Sequence, residues 1–212
     1  MSITATISSD LTLARQARDV YVAHLEGVVP KISQAILQRL LAQLDLGGSG
    51  KELQDRRDAL IAFQKAQSAW ERGLPKAWRK CLVPPTASAF MRFDSRQMEL
   101  MGDEVVSNKI LSSRLSLNIM DKANWEFMDL RLRVTRLENV PELASHDLLR
   151  TDVLALAMVE HWKETGLSYD TWVAVQDGFR GLLTARVVEA YHFANEFLVQ
   201  RGVMPDIDLK PL

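Results

Sequence analysis

The chain has 212 residues, 47% of them hydrophobic and 25% charged, the profile of an ordinary water-borne globular protein. Its 26 basic and 27 acidic residues leave a net charge of −1, which excludes the dense positive footprint that drives binding to nucleic acid or to anionic membranes. No stretch of 18 apolar residues and no secretion signal is present, and one cysteine, Cys81, cannot form an internal disulfide, so the sequence reads as cytoplasmic with no membrane insertion.

In chain order, residues 1–8 read as a loose, flexible tail, and residues 9–212 as a single helical domain. Ser9 or Asp10 can cap a first helix ending at Glu26 and closed by Gly27. Pro30 suits the first turn of a second helix with Ile32, Ile36, Leu37, Leu40 and Leu41 on one stripe. Gly47-Gly48-Ser49-Gly50 has linker composition, and Ser49 with Glu52 forms a capping-box pattern. The third helix carries Leu53, Leu60, Phe63, Ala66, Trp70 and Leu74, with Gly73 and Pro75 predicting a kink or restart. Pro84-Pro85 opens an extended loop to about Phe93, with a seam over 82–95.

A fourth helix is predicted from Asp103 to about Asn139, broken near Asp121-Lys122-Ala123-Asn124, with Val105 and Leu111 on its apolar stripe. Ser145 or Asp147 should cap a fifth helix that ends at Gly166. The last helix lies within Leu167–Pro205, opened by Ser168 and closed by Gly202. At about 33 residues it would reach roughly 50 Å, so a bend or a break is expected at Gly178 and Gly181. No window alternates with period two. The predicted fold is all-α: an irregular bundle of about five to seven amphipathic helices, several long and kinked.

Glu99-Leu100-Met101-Gly102-Asp103-Glu104, Gly166-Leu167-Ser168, Tyr191, Asn195 and Gly202-Val203-Met204-Pro205 together resemble a bacterial family known as domain of unknown function 1631. The similarity covers about Leu11 to Ile207 and rests on apolar spacing and helix caps. Members are usually much longer, and some end in a PilZ-type domain that binds cyclic di-GMP. The resemblance therefore implies a short or truncated relative with a signalling setting linked to cyclic di-GMP. It supplies no catalytic residues. Some members are labelled thymidine phosphorylase, and nothing in these residues supports that label.

Glu189 and His192 form one Glu-x-x-His pair. Di-iron bundles need two such pairs and two further glutamates; Glu160 and His161 are the only nearby complement. The simpler reading is a partly exposed His and Glu on a helix. Gly47 to Lys51 has the end of a phosphate loop, but Asp45 and Glu52 stand where glycine and Ser or Thr are required. Arg114, Arg131, Arg133 and Arg136, and separately Arg72, Lys76, Arg79 and Lys80, could hold phosphate; solvated faces with ion pairs to Glu126, Asp129 or Glu138 explain them more simply. Basic neighbours could lower the Cys81 pKa, yet no partner base is evident. His24 and His146 lack ligand spacing, and all five tryptophans are expected in the core.

The function expected is a non-catalytic helical protein-interaction module, regulatory or adaptor in kind, with no cofactor and with homo-oligomer formation left open. A protein partner would meet Phe90, Met91 and Phe93 in the loop, unless these plug a cleft between the two halves, or the basic run Arg72, Lys76 and Arg79. The alternative is a metal-dependent or small-ligand-binding helical enzyme using Glu160, His161, Glu189 and His192.

Overall fold

The computed structural model describes residues 3–83 and 103–207. Among them the chain forms six helices: α1 (Ile3–Glu26), α2 (Val29–Leu44), α3 (Gly50–Lys80), α4 (Asp103–Glu138), α5 (Thr151–Glu164) and α6 (Tyr169–Val199). The described residues contain no strand. The all-α irregular bundle is the observed fold. Helix α6 packs against α1, α2 and α4, while α5 packs against α3 and α4.

The core is aromatic at its centre. Trp162 of α5 meets Trp172 of α6 and Trp70 of α3 edge-on, at 5.4 and 6.3 Å, and stacks on Phe63 of α3 at 5.9 Å. Edge-to-face pairs suit the ring quadrupoles. Tyr21 stacks on Tyr191 at 4.8 Å, joining α1 to α6. Leu183 and Val187 of α6 are fully buried.

Local signals set several ends as expected. The Ser49 side chain accepts from the Glu52 N–H, and the Glu52 carboxylate accepts from the Ser49 N–H, so the capping box closes. Ser168 accepts from the Thr171 N–H at 3.1 Å. Gly166 and Gly202 take φ of 80° and 77°, where side chains are strained, and so end α5 and α6.

Five expectations need correction. Helix α1 starts at Ile3, so residues 3–8 are helical rather than a loose tail and Ser9 and Asp10 lie within the helix. Helix α3 runs unbroken through Pro75. An interior proline costs about 3 kcal/mol, yet Trp70, Leu74 and Trp78 are fully buried on both sides of it. Each such side chain gains about 1.5–3 kcal/mol by burial, so keeping them in one helical register outweighs the proline. Helix α4 is continuous through Asp121-Asn124 because Ala123 and Ile119 are packed in the core. Helix α6 is continuous through Gly178 and Gly181. A Cβ at Gly178 would make ordinary contact with the Arg39 side chain of α2, at 3.4 Å. Finally, α5 starts at Thr151 with no side-chain cap. The Asp147 carboxylate instead accepts from the Leu149 N–H and from Arg18 of α1.

Side-chain placement departs from the pattern at several points, among them Leu41 of the α2 stripe, which is exposed. Trp70, Trp78, Trp162 and Trp172 are core residues, but Trp125 is 76% exposed. Val105 of the predicted α4 stripe is exposed. Arg133 is 4% exposed and does not belong to a solvated basic face.

Candidate functional site

A cleft of about 1120 Å³ opens at one end of the bundle between α1, the end of α4 and the turn after α6. Its construction follows from two helix C-caps of one kind. After α4, Asn139 takes φ of 52°, and the Val140 N–H reaches back to the Thr135 carbonyl at 3.0 Å. After α6, Gly202 takes φ of 77°, and the Val203 N–H reaches back to the Leu198 carbonyl at 3.0 Å. These six-to-one bonds define Schellman caps, which carry an apolar residue just past the left-handed position. Here those residues are Val140 and Val203, and both line the cleft with Leu11, Leu13, Leu132 and Leu137. Asp10, Arg136, Glu138 and Arg201 supply its polar parts.

The turn after α6 is held from beneath. Arg133 donates from Nε and Nη2 to the Met204 carbonyl at 3.3 and 3.2 Å, and from Nη1 to Asn195 Oδ1 at 2.8 Å. Asn195 in turn donates to the Glu126 carbonyl and carboxylate, both at 2.9 Å. His192 Nδ1 meets the other Glu126 oxygen at 3.0 Å. Tyr191 donates to the Leu149 carbonyl. A buried guanidinium must have its hydrogen bonds met inside the protein, and this set meets them with the backbone of the cleft wall. Met204 is the second non-glycine residue at positive φ, 43°, and with Asn139 it lines the same cleft. Strain of this kind persists where the surroundings over-determine it.

A second cleft of about 730 Å³ shares Glu138 with the first. Arg18 spans its floor, donating to both Glu138 oxygens at 2.6 and 3.0 Å and to Asp147 at 2.6 Å. Burial works against the Arg18 charge; the hydrogen bonds to the two carboxylates outweigh it and hold the guanidinium above its ordinary pKa. Arg15, Arg79, Cys81 and His146 also line this cleft. Burial pushes the Cys81 thiol up, the Glu160 charge adds to this, and Lys80 works against both. The expectation of a lowered thiol pKa is thus reversed, because burial and an acidic neighbour outweigh one lysine.

The four metal candidates do not come together. His161 is buried against α3, with Nε2 at 3.1 Å from the Trp70 carbonyl. Glu160 lies on α5, and partial burial of its carboxyl comes first among the causes that raise its pKa, with Glu164 adding to it. Glu189 pairs with Arg186 at 3.2 Å. His192 lies on α6 against Glu126 and Glu196. Among the described residues, no three His, Cys, Asp or Glu side chains are grouped to hold a metal.

Of the partner-binding candidates, Phe90, Met91 and Phe93 lie outside the described residues. Arg72 and Lys76 are exposed on α3. Arg79 donates twice to Glu26 and lines the second cleft. The large end cleft was not anticipated from the sequence, although Gly202-Val203-Met204-Pro205, which carries the family resemblance, forms one of its walls. No helix is long and apolar enough to cross a membrane among the described residues.

No match was found among curated proteins or among solved structures. One family matches: the N-terminal domain of a family described as protein of unknown function (DUF1631), over residues 9–202. With nearly the whole chain inside that match, the protein belongs to the DUF1631 family.

Proposed function

We propose that this chain is a non-catalytic interaction module of a regulatory or adaptor protein, and that a protein partner seats apolar side chains in the end cleft. One observation carries the reading. Two Schellman caps bring Val140 and Val203 into a single open cleft beside Leu11, with Leu11 and Val140 exposed. Apolar side chains gathered in a concave site with a few polar groups are what a docking segment buries. The Arg133–Asn195 network keeps one wall fixed, and a preformed wall lowers the ordering cost of binding. The regulatory setting, a bacterial source and a link to cyclic di-GMP through a partner belong to the same proposal and come from the family resemblance alone; the cytoplasmic setting rests on the single cysteine.

The test is photo-crosslinking in the native host from position Leu11. A specific adduct is expected, and it should disappear in a Val140→Asp variant that melts like wild type. Cyclic di-GMP added to the lysate should change the adduct yield. An adduct pattern unchanged by Val140→Asp would sink the docking site. A yield indifferent to cyclic di-GMP would sink the signalling link alone.

A further inference from the structure

Helix α4 has an outward face that is not covered by other elements among the described residues. Val106, Ile110, Leu117 and Met128 are all exposed, and Leu117 is 71% exposed. At 100° per residue these four fall within about 20° of one line along the helix. Trp125, the one exposed tryptophan, lies on the flank of that line. The seam from Val106 to Met128 is about 33 Å long at 1.5 Å per residue. It is distinct from the end cleft, whose α4 residues begin at Leu132.

The charges beside this seam determine what fits it. Arg114 and Asp121 stand on the same flank as Trp125, about 60° and 40° from the Leu117 line. Among the described residues Arg114 has no ion-pair partner, and Asp121 has only its exposed neighbour Lys122, at 3.3 Å. Positions 114 and 121 are equally spaced about the point between Leu117 and Asn118. So are Ile110 and Trp125. In an antiparallel pair related by a two-fold axis at that point, equal flanks of the two helices meet. Arg114 then faces Asp121 of the second helix on both sides of the axis, Ile110 faces Trp125, and Leu117 meets its own copy. In a parallel pair the same flanks lie on opposite sides of the seam, and Arg114 and Asp121 do not meet. An isologous two-fold contact is the commonest homo-oligomeric arrangement, and opposite charges flanking an apolar seam fix its direction and register.

We propose that the occupant of the α4 face is a second copy of this chain, docked antiparallel with its two-fold axis beside Leu117.

Sedimentation velocity with light scattering tests this. Wild type should gain mass with concentration toward twice the 24.0 kDa of one chain. Arg114→Asp and Asp121→Arg should each shift the transition at least tenfold to higher concentration, and the double swap should restore it. Leu117→Glu should abolish it. These residues are exposed, so every variant should melt with wild type at the dilute end, which separates lost pairing from misfolding. Wild type that stays monomeric at high micromolar concentration overturns the proposal, and so does a dimer indifferent to Leu117→Glu. If both single swaps weaken the dimer and the double swap fails to restore it, the antiparallel register is overturned.

Discussion

His161 is the residue whose role differs most from its appearance in the sequence. Its ring sits where the Cβ of any other residue at Gly73 would be: that atom would come within 2.2 Å of Cε1 and 2.5 Å of Nε2. Gly73 therefore lets α5 press an imidazole against the α3 backbone, two residues from a proline that withholds a helix hydrogen bond. Gly73→Ala should cost about 1–3 kcal/mol through overpacking. In combination with His161→Ala the cost of the added methyl should largely vanish, giving a large coupling in a double-mutant cycle read by urea unfolding. Additive effects would mean that the ring does not rest on Gly73. Cys81 offers a pH test. A thiol whose folded-state pKa is raised is favoured in its neutral form; that contribution to stability is intact below the ordinary value of about 8.5 and is lost as pH rises through the raised one. Labelling of the native protein by iodoacetamide should therefore begin at higher pH than labelling of the unfolded chain. Glu160→Gln should move the profile back toward lower pH, because it removes an anion that disfavours the thiolate. A profile that stays in place on this substitution would exclude that electrostatic cause.

At the scale of elements, the joint between α4 and the end of α6 rests on few groups. Asn195 is the hinge of that joint, since its amide accepts from Arg133 and donates to Glu126. Asn195→Ala would leave a buried guanidinium short of one acceptor. A loss of about 1–3 kcal/mol is expected for such an orphaned group, together with faster trypsin cleavage at Arg201 as the turn loosens. Unfolding and cleavage identical to wild type would show that the turn is held some other way. The sequence made part of this legible. Ser49 with Glu52, Ser168, Gly166 and Gly202 mark helix ends through chemistry confined to three or four neighbouring residues, and all four act as read. Continuity was not legible. Pro75, Gly178 and the run Asp121-Asn124 look like breaks, and each is overridden by contacts with another helix, which no local window contains. The α5 start was misplaced for the same reason: Asp147 is claimed by Arg18, 129 residues away.

For the whole molecule, the all-α class could be read because apolar steps of three and four recur in every segment. The end cleft could not, because it exists only where three distant pieces of chain meet. Tyr191 and Asn195 were visible as family-like residues, but their work of tying α6 to the Leu149 carbonyl and to α4 needed coordinates. The pairing of α1 with α6 has a consequence in time. Tyr21 stacks on Tyr191, and His24 stacks on Phe193 at 4.1 Å, so the partners of α1 are encoded about 170 residues later. At a synthesis rate of about 5–20 residues per second, the ribosome takes roughly 9–34 s to cover that distance. During this wait Ala14, Ala17, Tyr21 and Leu25, all fully buried in the finished fold, have no α6 to cover them. The nascent chain thus carries an uncovered apolar helix until α6 has been made, which makes the order of synthesis, and whatever shelters α1 meanwhile, part of how this bundle is made.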